Sequence, residues 1–141
     1  MSFRQISEIA GSAMAAQTVR LNTVASNLAN AQSAAGTEAA AYHARKPVFA
    51  AIAQARGQDG GYAGTRVQVL DVVQSTEPLR KVHEPDNPLA DGEGMVYYPN
   101  VSPVAEMTDM MAASRAFETN VEVMTRVRGM QQSLLRMGKE G

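Results

Sequence analysis

Apolar and polar residues alternate in two long helical rhythms at the ends of the chain, with a patchier, strand-like rhythm between them. Toward the C-terminus, Met107, Met110, Met111, Phe117, Val121 and Met124 recur at mostly three- and four-residue steps, which predicts one apolar helix face. A second apolar line continues through Val123, Val127, Met130, Leu134 and Met137, with Leu135 beside it. Ser102-Pro103 marks the expected start of this helix. A serine oxygen accepts from an otherwise unpartnered first-turn amide, and proline at the first helical position has no amide to leave unpartnered. Glu106 adds a negative charge near the positive end of the helix dipole. At roughly 1.5 Å per residue such a helix reaches about 50 Å, and two apolar lines on it require more than one neighbour.

The N-terminal rhythm supplies a partner. Ser2-Phe3-Arg4-Gln5 fits a capping box, with Met1 and Ile6 placed to pack across it as a hydrophobic staple. A helix-compatible run then continues to about Ala31, with Ala10, Met14, Leu21, Val24, Leu28 and Ala31 at three- and four-residue steps. Gln17 interrupts that line, and the small Ala10 and Ala13 would let a partner backbone approach closely. Heptad-like lines at both ends predict that the termini pair with each other. Two forms of pairing fit: an ordinary helical hairpin closing a small domain, or a coiled coil that packs on copies of itself. The predicted fold is mainly α with a small β-rich insert, its long N- and C-terminal helices pairing as a coiled-coil layer. The expected divisions are residues 1–33, 34–100 and 101–141.

Within the insert, residues 32–36 are small and suit a helix end, and Pro47 to Ile52 reads as a strand diluted by alanine. Gly57, Gly60, Gly61 and Gly64 predict a mobile loop or hairpin tip without packed partners. Arg66 to Val73 alternates and is rich in β-branched residues, making it the clearest strand of the sequence. Pro78, Pro85 and Pro88 make the next segment extended or turning. Asp91-Gly92-Glu93-Gly94 predicts a tight turn into a short strand, Met95 to Tyr98.

Composition narrows the function. The chain has 141 residues, only three phenylalanines, four tyrosines and no tryptophan, so it is poor in the side chains that fill a large core. A net charge of −1 argues against a nucleic-acid partner, and no apolar run approaches the length of a membrane span. The N-terminus lacks the basic-then-apolar pattern of a cleavable secretory signal. Without cysteine there is neither a disulfide framework nor a thiolate metal site.

Candidate chemistry is thin. His83, Glu84 and Asp86 are possible metal ligands, but an extended proline-rich segment does not bring them together, and a solvated loop is the stronger reading. Residues 87–98 fail as a calcium loop, because Leu89 and Tyr98 stand where oxygen ligands are needed. The glycines of residues 57–64 lack the Gly-Lys-Ser/Thr ending of a phosphate loop, and His43 has no local partner that would make it a base. Nine methionines suggest adaptable core filling ahead of a promiscuous binding groove or a metal–thioether site. Neither an enzyme nor a cofactor is expected.

Three stretches carry a family resemblance. Thr23-Val24-Ala25-Ser26-Asn27-Leu28-Ala29-Asn30 is similar to the N-terminal signature of bacterial flagellar rod, hook and related axial proteins. Met95-Val96-Tyr97-Tyr98-Pro99-Asn100-Val101-Ser102-Pro103-Val104-Ala105-Glu106-Met107 resembles the FlgC-type proximal rod family specifically. So does Met110-Met111-Ala112-Ala113-Ser114-Arg115-Ala116-Phe117-Glu118-Thr119-Asn120-Val121-Glu122-Val123, and residues 34–94 match more loosely. The resemblance implies a structural subunit of the basal-body proximal rod, whose terminal helices form the inner layer of a hollow, torque-transmitting shaft across the periplasm. It implies as partners copies of the same chain, other rod proteins of the FlgB, FlgF, FlgG and FliE types, and the flagellar type III export apparatus. It further implies export without a cleavable signal peptide.

The expected assembly interface comprises Met14, Leu21, Val24, Asn27, Leu28 and Asn30 on the first helix. On the last helix it comprises Met107, Met110, Met111, Phe117, Asn120, Val121, Met124, Val127, Leu134 and Leu135. Asn27, Asn30 and Asn120 are read either as caps and surface residues or as interhelical hydrogen bonders that fix register, with Asn27 favoured for register and Asn30 for a cap. The alternative function is a soluble helical adaptor that binds an amphipathic partner helix in a Met-rich groove. Such an adaptor would be a stable helical monomer, whereas a rod subunit would have largely disordered termini until assembled.

Overall fold

A computed structural model describes residues 2–53 and 64–141. Helix α1 runs from Phe3 to Asn30 and helix α2 from Pro103 to Glu140. Between them lie β1 (Arg45–Ala53), β2 (Thr65–Gln74), β3 (Arg80–His83) and β4 (Met95–Tyr98). Both helices begin where local capping chemistry places them. The Ser2 N–H donates to Gln5 Oε1 at 2.8 Å and the Gln5 N–H donates to Ser2 Oγ at 3.2 Å, closing the capping box. Ser102 Oγ caps α2 by accepting from the Ala105 N–H, with Pro103 and Glu106 in the first turn. The staple expected of Met1 lies outside the described residues.

The helices are antiparallel. Arg20 of α1 meets Asp109 of α2, while Phe3 sits beside Arg126, Met130 and Leu134 at the opposite end. Among the described helices and strands, α2 packs on α1 alone, whereas α1 also packs on β1 and β2. On α2 the less exposed positions include Glu106, Met110, Ala113, Phe117, Asn120, Met124, Val127 and Gln131, a line of alternating four- and three-residue steps, with Pro103, Asp109, Ser114, Ala116 and Val123 half-buried beside it. Gln132 to Gly141 are exposed throughout, so the last turns of α2 run beyond the start of α1.

The insert forms two separate antiparallel pairs, β1 with β2 and β3 with β4. Both strands of the first pair are longer than the sequence pattern predicts, and a bulge between Val48 and Phe49 leaves Leu70 as the extra residue of β2. Helix α1 approaches the other edge of β2, where the Val67 N–H donates to Ser12 Oγ at 3.1 Å. A covered edge of this kind is closed to stray strand pairing, and β1 carries Pro47, which has no amide to offer another strand. Gly57, Gly60 and Gly61, read as part of an unpacked loop, lie outside the described residues. Gly64 corrects that reading at its own position: it is buried at φ +90°, and a Cβ there would stand 2.7 Å from Ile9 Cδ1.

In the second pair β4 is the central strand. Arg80–His83 pairs on one side, and on the other Ala35 exchanges two backbone hydrogen bonds with Tyr97, at 2.8 and 2.9 Å. β3 goes beyond the extended or turning segment that the prolines predict. Val82 is its only apolar residue, so pairing with Val96, which is fully buried, makes it a strand. The Asp91–Gly94 turn forms as expected: Asp91 Oδ1 accepts from the Glu93 and Met95 amides at 2.9 Å, and Gly94 takes φ +76°. Those two amides, Met95's first, hold the Asp91 carboxyl below its ordinary value.

Candidate assembly surfaces

Two structural features bear on assembly: a polar joint that fixes the insert to the helices, and the apolar surface that α2 turns away from α1.

The joint is built by Asn27. Its position near the end of α1, in the third turn after the small Ala16, brings it against the chain entering β1. Asn27 is 1% exposed. Its Oδ1 accepts from the Arg45 N–H and the Tyr42 hydroxyl, both at 2.9 Å, and its Nδ2 donates to the Arg45 carbonyl at 2.8 Å. One amide side chain therefore takes both backbone groups of a single residue, as a paired strand would. One residue earlier, the Ala44 N–H donates to Asn100 Oδ1 at 2.7 Å, while Asn100 Nδ2 donates to the Glu77 carbonyl at 2.8 Å. Asn27 and Asn100 thus grip Ala44–Arg45 from the end of α1 and the approach to α2. The Tyr42 hydroxyl also meets Ser26 Oγ, and the Arg45 guanidinium lies 5.6 Å from the Tyr42 ring centroid.

These bonds correct the reading of the asparagines. Asn27 fixes the insert to α1 instead of bonding across the helix pair. Asn30 is no cap: its Nδ2 donates back to the Ser26 carbonyl at 2.8 Å, and Ala31 takes the C-cap position. Asn120 likewise donates to the Ala116 carbonyl one turn back, at 2.7 Å. Short polar side chains favour such local backbone partners, and spacing alone does not distinguish them from interhelical ones.

The α2 surface divides the predicted residues. Met110, Phe117, Asn120, Met124 and Val127 belong to the face turned to α1, with Val127 buried and the rest half-buried. Met107, Met111 and Val121 point away and are exposed, Met111 to 59%, and Val104 extends their patch. Leu134 and Leu135 are also exposed, Leu135 to 69%. The single face expected of Met107 to Met124 spans too wide an arc for one neighbour, and α1 covers only one edge of it, at Met110, Phe117 and Met124. On α1, Val24 is buried, and Met14, Leu21, Leu28 and Asn30 are half-buried. Where α2 passes the start of α1, Phe3, Arg126, Gly129, Met130, Ser133 and Leu134 line an open apolar groove of about 780 Å³.

Sequence reasoning misses Asn100, Tyr42 and the interhelical pair of Arg20 and Asp109. Asn100 stands inside a quoted motif, which is a usable signal. Tyr42 and Arg20 give none, since their partners are distant in sequence. On the far side of the insert, Tyr98 donates to Glu84 at 3.1 Å; that hydrogen bond raises the phenol above its ordinary value, and Arg80 lies over the ring at 4.8 Å. Glu84 also accepts from Asn87, so it is engaged in holding the turn. Among the described residues no helix is long and apolar enough to cross a membrane.

Comparison with known proteins defines first a class and then a family. Residues 8–35 match the family model described as flagella basal body rod protein, and residues 93–137 match that of the flagellar basal body rod FlgEFG protein C-terminal region. These segments contain most of α1 and of α2, so the helical ends place the chain among flagellar rod proteins. Over nearly its whole length it is similar to flagellar basal-body rod proteins FlgC. It is 45% identical to that of Escherichia coli O6:H1 and 44% identical to that of Salmonella typhimurium, over 99% of this chain and 100% of theirs. It is 32% identical to that of Bacillus subtilis, over 93% of this chain and 95% of that one. The chain belongs to the FlgC family of flagellar basal-body rod proteins.

Proposed function

We infer that this chain is a structural subunit of the flagellar basal-body rod, in which α2 docks on neighbouring subunits through the apolar surface that α1 leaves uncovered. The observation that carries the docking assignment is the outward patch of Val104, Met107, Met111 and Val121; farther along α2, Met130 and Met137 are also exposed, and Leu134 and Leu135 carry the α1-facing line on past the start of α1. Burying one such side chain contributes roughly 1.5–3 kcal/mol, so a few of them suffice to hold a packed layer together. In this reading residues 1–33 and 101–141 form a coiled-coil layer of a hollow, helically assembled shaft, and residues 34–100 form an insert fixed to it at Asn27 and Asn100. The subunit belongs to the proximal rod and meets copies of itself and other rod proteins of the FlgB, FlgF, FlgG and FliE types. It reaches that place through the flagellar type III apparatus without a cleavable signal. Its role is mechanical: torque passes through packed helices, and no residue is assigned chemistry.

The test uses Met107→Asp and Met111→Asp. Both sites are exposed in the isolated chain, so its thermal melt should stay unchanged while recovery in purified basal bodies and swimming are lost. Normal recovery of both variants would remove the outward face of α2 from the interface.

A further inference from the structure

The chain has no cysteine, so its thioethers are its only reducing sulfur. Their distribution is uneven. Of the described methionines, Met14, Met95, Met110 and Met124 are half-buried, whereas Met107, Met111, Met130 and Met137 are exposed. All four exposed ones lie on α2, in two pairs: Met107 and Met111 one turn apart near its start, and Met130 and Met137 near its end. Met130 also lines the groove beside Phe3. Accessibility of the sulfur governs how readily methionine oxidises, and oxidation converts a flexible apolar side chain into a polar one.

We propose that the exposed thioethers of α2, at Met107, Met111, Met130 and Met137, form a peroxide-sensitive modification site whose oxidation to the sulfoxide blocks docking of the subunit. The step transfers one oxygen atom from the peroxide to sulfur. The thioether loses two electrons and becomes the sulfoxide, the O–O bond breaks, and hydrogen peroxide leaves as water. The new S=O group is a strong acceptor on a face that assembly takes out of water, where an acceptor without a donor opposes burial. The consequence for docking rests on the functional reading above; the selectivity among methionines does not. In the free subunit the four methionine side chains are exposed, and in the rod the docking neighbours cover them.

The selectivity is measured by treating the full purified chain with hydrogen peroxide and mapping its peptides by mass spectrometry. Met107, Met111, Met130 and Met137 should gain an oxygen several-fold faster than Met14, Met95, Met110 and Met124. Equal rates at all eight overturn the site. The same treatment of purified basal bodies should leave Met107 and Met111 protected. Loss of that protection, with selectivity in the free chain intact, would sink the docking face while leaving the modification site standing. For the consequence, a chain carrying Met107→Leu, Met111→Leu, Met130→Leu and Met137→Leu keeps volume and apolarity at exposed positions. In cells grown with peroxide, recovery in basal bodies should fall for the original chain and hold for this variant; an equal fall in both refutes the link between oxidation and docking.

Discussion

The two helices are built alike and packed differently. Helix α1, with 28 residues, buries Ala10, Ala16, Thr23, Val24 and Asn27 and is flanked by α2, β1 and β2. Helix α2, with 38 residues, buries Ala113 and Val127 and has α1 as its neighbour. What remains exposed on α1 is small or polar, at Arg4, Glu8, Ala15, Thr18, Asn22, Ala25 and Ala29. On α2 the exposed residues include, among polar ones such as Arg115, Glu118, Glu122 and Arg128, the large apolar side chains of Val104, Met107, Met111, Val121, Met130, Leu134, Leu135 and Met137. The chain thus uses up the apolar surface of α1 internally and leaves a surplus on α2. Exposed large apolar side chains in this number on one helix mark an interaction surface. Length matters as well, since the last turns of α2 extend beyond anything that α1 can cover.

The largest test of that contrast compares two aspartates on α2. Val127 is 3% exposed, so Val127→Asp places an unpaired carboxylate inside the helix pair and should cost about 3–5 kcal/mol of monomer stability. Leu135→Asp, on the overhang, should stay within about 0.5 kcal/mol of the original chain. Urea unfolding of the isolated chain measures both; an isolated chain with no unfolding transition would instead have termini that order only on assembly. Similar losses at the two positions would mean that the end of α2 is packed within the chain, and the proposed surplus would shrink accordingly.

A smaller effect is expected on α1. Replacing Asn27 with leucine keeps its bulk but removes the partner of the Arg45 N–H, the Arg45 carbonyl and the Tyr42 hydroxyl. Buried groups left without partners should lower stability by roughly 2–4 kcal/mol, more than the apolar gain returns. Asn100→Leu should cost less, because one of its two bonds is exposed. Amide exchange separates local from global failure: the β1–β2 amides should lose protection in Asn27→Leu before those in the middle of α2. Simultaneous loss throughout would show that the joint holds the whole fold together and is not confined to the insert.

What the sequence makes legible follows from how local each cause is. The helix starts at Ser2 and Ser102 are readable because a cap and its amide lie within one turn. The Asp91 turn is readable for the same reason. β3 is not, because only its pairing with β4 makes Arg80–His83 a strand. The apolar periodicity of α2 is plain, but its division is not: Phe117 and Val121 stand one turn apart, and the placement of α1 leaves the first half-buried and the second exposed. Asn27 carries the same limit. Its residue type and its motif mark it as polar within an apolar helix, yet its partners at Tyr42 and Arg45 arrive through an irregular segment with no periodicity to read.

The finest test asks whether polar pairing or apolar packing sets the register of the two helices. Arg20 and Asp109 form an ion pair between α1 and α2, with side chains 27% and 36% exposed. At that exposure solvent screens the charges and ordering two long side chains offsets much of their attraction. A double-mutant cycle through Arg20→Ala and Asp109→Ala should therefore give a coupling of about 0.2–1 kcal/mol. Added salt should reduce it further, because screening shortens the reach of exposed charges. The apolar residues of the same face set the scale for comparison. Met110 and Phe117 follow Asp109 along α2, and Phe117→Ala should cost more than the whole ion-pair coupling even though Phe117 is half-buried. If the coupling instead exceeded the loss at Phe117, charge would be choosing the register, and α1 would hold α2 by a polar clamp. The outward methionines would then be surplus for a different reason: a helix fixed at one ionic point needs little apolar burial, and its uncovered face need not meet a neighbour.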